Sequence, residues 1–245
     1  MSTRKRSLIS ALMILSLGGW VPRASAGPVA GRVVLMTGDR GDAATKRDGS
    51  SVVVWLEPIG PARPAGPSSP KQATMNQRNK TFLPHVLAIE VGTAVDFPNN
   101  DPMDHNAFSN FDGQIFDVHL YSPQTSRRVV FRRPGMVKVF CNIHETMGAV
   151  IAVLQTPYFA VTGADGRFEV AAPVGDYKLP FWHERAQPDV LARLERQITV
   201  GEGQLAVPET RLSVADQMVV AHKDKYGHDY SDRPVDYIFY PGARR

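Results

Sequence analysis

Cysteine is almost absent from this sequence, since Cys141 is the only one among 245 residues. A single cysteine excludes an intramolecular disulfide, and with it the class of small domains that disulfides stabilise. A free thiol in an oxidising compartment is a liability, so metal ligation would explain why the residue is there. Taken alone, Cys141 would be better interpreted as a buried, inert cysteine. Its neighbours favour the metal.

Long apolar runs are also lacking. The apolar stretch from Leu8 to Leu17 follows the basic residues 4–6 and precedes Ala24, Ser25 and Ala26. This order of a basic segment, a short apolar segment and a small-residue cleavage site is typical of a secretory signal peptide, and the stretch is too short for a good membrane span. We therefore predict that residues 1–26 are a signal peptide, that the mature protein has no membrane span and that it is periplasmic. An uncleaved anchor is the alternative.

An excess of charge of one sign is missing once that segment is removed. The whole chain has a formal net charge of +4, and residues 1–26 contain four basic residues and no acidic one, so the remainder is formally neutral. A neutral chain gives no electrostatic support for nucleic-acid binding. We expect no nucleic-acid partner.

Regular turn signals are abundant. Short runs rich in valine and isoleucine alternate with Gly, Pro and Asn at intervals of about 8–12 residues, which predicts a β-sandwich. The predicted strands are 29–36, 51–56, 86–91, 94–97, 115–120, 128–131, 136–140, 149–154, 159–162, 167–170, 176–181, 197–200 and 210–214. Residues 58–70 predict a proline-rich linker, and 188–195 and 216–225 predict helices.

Three metal donors lie in one short loop around the cysteine: Cys141, His144 and Met147, spaced Cys-x2-His-x2-Met. Thiolate and thioether are soft ligands and imidazole suits copper, so two histidines, one cysteine and a weak axial methionine form the donor set of a blue-copper electron-transfer site. The second imidazole must come from elsewhere in the chain, and His105 is the best candidate. The sequence predicts one copper ion at these four residues.

Other chemistries fit this loop less well. Methionine is not a usual zinc ligand, although zinc at the cysteine and two histidines stays open as an alternative. A dinuclear copper site needs a second cysteine, and a multicopper oxidase needs several His-x-His clusters; the sequence has neither. A Cys141–His144 nucleophile and base would lack an orienting third residue. We expect that the protein is not itself an enzyme.

Residues from about Gln77 to Leu154 resemble a cupredoxin. The motifs that carry the resemblance are Phe82-Leu-Pro84, Ile89-Glu-Val-Gly-Thr-Ala-Val-Asp-Phe-Pro-Asn99, His105-Asn106, Pro134-Gly135 and the loop from Cys141 to Met147. The spacing of the loop is similar to that of amicyanin and pseudoazurin. The resemblance implies type 1 copper at His105, Cys141, His144 and Met147, with Met147 the weak axial ligand. It further implies that Asn106 braces the loop and hydrogen-bonds the cysteine sulfur, and that the ring edge of His144 is the electron port.

The flanking segments resemble a carboxypeptidase-regulatory-like sandwich of the transthyretin type. The motifs are Gly31-Arg-Val-Val-Leu35, Ser51-Val-Val-Val-Trp-Leu56, Thr162-Gly-Ala-Asp-Gly-Arg-Phe168 and Pro173-Val-Gly-Asp-Tyr177. The resemblance implies an all-β protein with a Greek-key cupredoxin sandwich at 71–157. This sandwich would be inserted into a smaller, discontinuous sandwich at 27–60 and 158–215, with a tail at 216–245.

The whole arrangement is similar to exported proteins labelled methylamine-utilisation-like, which implies a redox partner such as a dehydrogenase or a cytochrome. Three functions are compatible with the sequence. The first is a periplasmic one-electron carrier, which we favour. The others are a copper-handling protein that sequesters or delivers the metal, and a non-redox assembly module in which the metal is structural.

Overall fold

The computed structural model describes residues 26–37, 45–46, 48–60, 71–110, 113–215 and 223–230. Within these ranges the fold is all-β, with twenty-one strands and one short helix. No helix among the described residues is long and apolar enough to cross a membrane. The predicted signal peptide, apart from Ala26, and residues 61–70 of the predicted linker lie outside the described residues.

The strands and the helix follow one another along the chain in the order of their numbers. They are β1 (Ala26–Met36), β2 (Thr45–Lys46), β3 (Val53–Trp55), β4 (Glu57–Pro58), β5 (Gln72–Thr74), β6 (Asn76–Gln77), β7 (Phe82–Leu83), β8 (Val86–Glu90), β9 (Ala94–Pro98), β10 (Phe108–Ser109), β11 (Phe116–Asp117), β12 (Ser126–Val130), β13 (Gly135–Phe140), β14 (Gly148–Leu154), β15 (Phe159–Val161), β16 (Arg167–Pro173), β17 (Gly175–Leu179), β18 (Phe181–Trp182), α1 (Pro188–Leu194), β19 (Arg196–Val200), β20 (Leu205–Ala206) and β21 (Thr210–Ser213).

Strands β1–β4 and β15–β21 form what we call the flanking sandwich. Strand β1 is central: it pairs antiparallel with β16 and β2, and parallel with β20 and β21. Strand β3 lies between β15 and β18, and β17 lies between β19 and β4. Alternate residues of β16 are buried, as expected for a strand with one face on a core and one in solvent. One continuous apolar cluster, which includes Val29, Leu56 and Leu179, fills the space between the sheets.

Strands β5–β14 form a second unit, the ligand sandwich. One sheet has the order β11-β10-β13-β14-β8, the facing sheet has the order β12-β9-β5, and β6 pairs with β7. Its core is a separate apolar cluster that contains Phe97, Phe131 and Ile151. The prediction of an all-β fold with two sandwiches is confirmed.

Strand β14 contacts both sandwiches, because its apolar residues are buried on both faces of the strand. Side chains of a strand alternate between faces, and here Ile151 packs into the ligand sandwich while Ala152 and Leu154 pack outward. The outward residues join Val53 of β3 in a third apolar cluster that lies between the sandwiches. The ligand sandwich is therefore held against β3 by a hydrophobic interface.

Three local predictions differ from the structure. The strand predicted at 115–120 is limited to β11, because the Asp117 carboxylate accepts the backbone N–H of His119, which has a φ of 58° and so forms a turn. The helix predicted at 216–225 is wrong over its described end, where Lys223, Asp224 and Lys225 are irregular. Strands β2, β4–β7, β10 and β20 were not predicted, since elements of two or three residues are too short to show a period.

Candidate metal centre

The loop between β13 and β14 carries three of the predicted ligands. The backbone N–H of Cys141 donates to the carbonyl of Met147 at 3.1 Å, and the N–H of Met147 donates to the carbonyl of His144 at 3.1 Å. The β-ladder ends at the pair Phe140 and Gly148, on either side of this turn. The Cys-x2-His-x2-Met spacing thus closes one hairpin and gathers its donors at the end of the ligand sandwich.

His105 reaches the same place from a different part of the chain. It forms an isolated bridge with Tyr121, in which the N–H of His105 donates at 3.2 Å and the N–H of Tyr121 donates back at 2.9 Å. The His105 side chain is fully buried, as are those of Cys141 and Met147. Three of the four predicted ligands are therefore shielded from water.

The donor atoms converge. The Cys141 sulfur lies 3.9 Å from Nδ1 of His105 and 3.5 Å from Nδ1 of His144. The ligand atoms of these three residues all lie within 4.8 Å of one another. A trigonal metal with bonds to sulfur and nitrogen of about 2.3 and 2.0 Å separates those two atoms by about 3.7 Å. The three side chains are consequently spaced to hold one metal ion, and Met147 is buried in the same apolar cluster as Cys141.

Comparison with known proteins gives one curated relative and several solved structures. The relative is the methylamine utilization protein MauL of Methylorubrum extorquens, 37% identical over 59 residues that make up 24% of this chain and 52% of MauL. The chain thus spans about half the length of that relative. No family model matches the chain.

Three of the similar solved structures are a copper-containing nitrite reductase, a cupredoxin and an amicyanin. The Cu-containing nitrite reductase from Thermus scotoductus is 27% identical, with 41% of this chain and 26% of the other covered and a TM-score of 0.33. A purple cupredoxin from Nitrosopumilus maritimus is 24% identical, with 34% and 99% covered and a TM-score of 0.31. Amicyanin from Paracoccus versutus is 19% identical, with 36% and 84% covered and a TM-score of 0.32.

A two-sheet sandwich with a Cys-x2-His-x2-Met hairpin and a buried histidine from a separate loop has the architecture and the donor set of a blue-copper domain. The ligand sandwich has a cupredoxin-like fold. The similarity of the chain to MauL accords with the resemblance to methylamine-utilisation-like proteins.

Asp101 is a residue of the ligand sandwich that the sequence prediction missed. Its carboxylate accepts a hydrogen bond from Nε2 of His105 at 2.7 Å, and the backbone N–H groups of Asn79 and Lys80 at 2.6 and 2.8 Å. Burial raises the pKa of Asp101, but these hydrogen bonds outweigh burial and hold the pKa below its usual value. The available signal was an acidic residue four positions before a candidate ligand.

His144 is half-buried at the edge of the site. Burial, with smaller contributions from the charges of His105 and Lys80, lowers the pKa of His144 to about 4. Its ring contacts the His105 ring edge-on, with the centroids 4.9 Å apart. At neutral pH the imidazole is therefore uncharged, which is the form that binds a metal.

Asn106 connects the segment of His105 to the ligand loop. Its Oδ1 accepts the backbone N–H of Asn142 at 3.2 Å, and its Nδ2 donates to Asp117 of β11 at 2.7 Å. The residue after Cys141 is thereby tied to the residue after His105. This bond fixes the relative position of the two loops that carry the donors.

The other conspicuous histidine, His85, lies at the boundary between the sandwiches. Its Nε2 is 2.8 Å from Oε1 of Glu184 in the flanking sandwich, and its Nδ1 is 3.2 Å from the carbonyl of Gly148, the residue after Met147. His85 therefore contacts the exit of the ligand loop without being one of the clustered donors.

Proposed function

We propose that this protein is an exported, mononuclear type 1 copper protein that carries single electrons. The observation that supports it best is the convergence of the Cys141 sulfur with Nδ1 of His105 and Nδ1 of His144 in a buried pocket of a cupredoxin domain. In this proposal His105, Cys141 and His144 hold the copper, and Met147 is the weak axial ligand. The soft sulfur donors favour copper over zinc.

Bound copper would supply a reversible one-electron couple between Cu(I) and Cu(II). The protein would hold the donor side chains in place when the oxidation state of the copper changes. The hairpin holds Cys141 and Met147, and the bridge to Tyr121 holds His105. The buried walls exclude water from the thiolate. Because His144 is the donor that is only half-buried, its ring is the proposed electron port.

The remaining parts of the proposal concern partners and location. A redox protein, either a dehydrogenase or a cytochrome, would exchange the electron in the periplasm after a signal peptide at 1–26 has been removed. The name of MauL places that relative in methylamine utilisation, and this is the motivation for a dehydrogenase partner. The cupredoxin domain would span 71–157, inserted between 27–60 and 158–215 of the flanking sandwich, with a tail at 216–245. The proposed function includes neither catalysis nor nucleic-acid binding.

The decisive test is the visible absorption spectrum of the mature protein after addition of Cu(II), together with its voltammetry. We expect a strong thiolate-to-copper charge-transfer band and one reversible one-electron wave. Cys141→Ser and His144→Gln should abolish or strongly alter the band. His119→Gln, which replaces a histidine whose side chain is 78% exposed, is the matched control and should leave the band intact.

Two outcomes would contradict electron transfer. A colourless protein that retains zinc, or no metal, would remove the copper site altogether. A blue protein that shows no reversible wave and passes Cu(I) rapidly to a chelator would instead favour copper handling.

A further inference from the structure

The described part of the C-terminal tail, residues 223–230, lies against the ligand loop; we call it the C-terminal strap. The phenol of Tyr230 donates a hydrogen bond to the carbonyl oxygen of Cys141 at 2.6 Å. The backbone N–H of Lys225 donates to Oδ1 of Asn142 at 3.0 Å. The strap therefore forms hydrogen bonds with two adjacent residues of the loop, one of which is the proposed thiolate ligand. It lies more than eighty positions further along the chain.

The strap also completes a closed cycle of hydrogen bonds. The Lys225 ammonium donates to Oδ2 of Asp117 at 2.7 Å, and Oδ1 of Asp117 accepts from Nδ2 of Asn106 at 2.7 Å. Asn106 accepts the N–H of Asn142 at 3.2 Å, and Asn142 accepts the N–H of Lys225 at 3.0 Å. Each of the four residues is held from two sides. The cycle joins the segment of His105, strand β11, the strap and the ligand loop.

The central ion pair of this cycle is sheltered. The side chains of Lys225 and Asp117 are only 18% and 27% exposed. A partly buried, hydrogen-bonded pair is screened less by water and salt than a surface pair. Removing one partner leaves the other charge in a site with little water, so the cycle resists opening.

The strap has an ordered backbone of its own. Asp224, which is almost fully buried, accepts the backbone N–H groups of Tyr226 at 2.8 Å and His228 at 2.9 Å. Nδ2 of Asn110 donates to the carbonyl of Lys225 at 3.2 Å. The turn around Asp224 presents the Lys225 backbone to the cupredoxin domain in a fixed orientation.

We propose that the C-terminal strap is a positioning element of the metal centre. It holds the peptide of Cys141 and the side chain of Asn142, and so keeps the Cys141 sulfur in place and closed to solvent. Closure of the metal-free loop follows from the contacts alone. The effect on copper rests in addition on the proposed function.

Closure can be tested on the metal-free protein by the rate at which the Cys141 thiol reacts with an aromatic disulfide reagent. The thiolate attacks one sulfur of the reagent, a mixed disulfide forms, and one coloured aromatic thiolate leaves. Because the sulfur is fully buried, reaction requires a local opening of the loop. Lys225→Met and Tyr230→Phe should each raise the rate about fivefold, which is the factor for the loss of one hydrogen bond.

Matched control variants are available in the flanking sandwich. Tyr177→Phe removes another phenol that donates to a backbone carbonyl, that of Pro173 at 2.9 Å. Lys178→Met removes a lysine that pairs with Glu195 at 3.4 Å. Both should react at the wild-type rate, and Lys225→Arg, which retains the charge and a donor, should react nearly as slowly as wild type. Wild-type rates in both strap variants, or equal acceleration in the controls, would overturn the proposal.

The copper-loaded proteins give the second readout. The two strap variants should keep the charge-transfer band, but release copper to a chelator about tenfold faster, as is typical when a residue that supports a ligand is lost. A wild-type protein that binds no copper would reject the proposed function and leave the thiol result standing. Strap variants that bind copper and release it at the wild-type rate would reject the role of the strap in metal retention.

Discussion

At the scale of single residues, Asp101 and His105 form a buried pair beside the donor cluster. The carboxylate accepts a hydrogen bond from Nε2, so the proton is on that nitrogen and the lone pair of Nδ1 faces Cys141 at 3.9 Å. A carboxylate behind a ligating histidine fixes the ring orientation and makes the ring a stronger donor. The backbone N–H groups of Asn79 and Lys80 donate to the Asp101 carboxylate and so fix its position behind His105.

We expect Asp101→Asn to weaken Cu(II) binding by about 10–100-fold and to raise the reduction potential, because a less basic imidazole stabilises Cu(II) less. Competition with a Cu(II) chelator and voltammetry would measure the two effects. Asp104→Asn is the control, since it removes a neighbouring carboxylate next to His105 and should change neither quantity. An unchanged potential in Asp101→Asn would show that the carboxylate only supports the fold.

The part of the site that could be predicted from sequence is the part that is local. Cys141, His144 and Met147 fall in one hairpin, so their spacing alone indicated a common site. Asp117 and Lys225 are 108 positions apart, and Tyr230 is 89 positions from Cys141. Contacts over such separations depend on how strands and the strap are arranged in three dimensions, and no periodicity reports that arrangement. Nothing in the spacing therefore pointed to the hydrogen-bond cycle.

At the scale of elements, strands with several β-branched residues were predicted almost to their ends, as β13 and β14 show.

Turns were predicted where glycine is required. The turn before β16 is an example: Gly166 has a φ of 72° and its carbonyl accepts the N–H of Val33 of β1 at 2.8 Å. A Cβ on Gly166 would lie 2.0 Å from the carbonyl oxygen of Val33. This close approach fixes the register of the longest ladder in the flanking sandwich.

We expect Gly166→Ala to lower the free energy of unfolding by about 1–3 kcal/mol, since the substitution adds both a backbone strain and a clash. Denaturant unfolding followed by circular dichroism would measure it. Gly163→Ala in the same turn is the control: its nearest neighbouring atom would be 3.8 Å from the new Cβ, and φ is not in the left-handed region. Equal stability of the two variants would contradict a specific requirement at position 166.

At the scale of the whole molecule, a histidine contributes to the contact between the two sandwiches. The hydrogen bond to Glu184 raises the pKa of His85 above its ordinary 6.5, burial opposes this, and the attraction of the Glu184 charge and the bond to the Gly148 carbonyl add to it. A raised pKa in the folded state means that the folded protein binds the proton more tightly than the unfolded chain. The stabilisation is therefore complete below pH 6.5 and is lost as pH rises through the folded-state pKa.

We expect the thermal midpoint of the wild-type protein to fall as pH rises from 6.5 through the folded-state pKa of His85, and His85→Gln to remove that part of the fall. Calorimetry at a series of pH values would measure both profiles. His119→Gln, which replaces an exposed imidazole, should preserve the wild-type profile. A pH profile that His85→Gln leaves unaltered would mean that the sandwiches are held by the apolar interface alone.

The pairing of β3 with β15 has a consequence for how the chain is made. Phe159 lies opposite Trp55, and the N–H of Leu56 donates to the carbonyl of Tyr158 at 2.9 Å. Two strands that are separated in the sequence by the whole ligand sandwich therefore pair with each other. A ribosome delivers β1 and β3 first and their partners last. Described strands β5–β14 pair among themselves, which allows that domain to close early. Until β15 and β18 have been synthesised, both edges of β3 are unpaired, and unpaired strand edges favour aggregation. The edges of β3 thus stay unpaired during synthesis for a time set by the number of residues between β3 and β15.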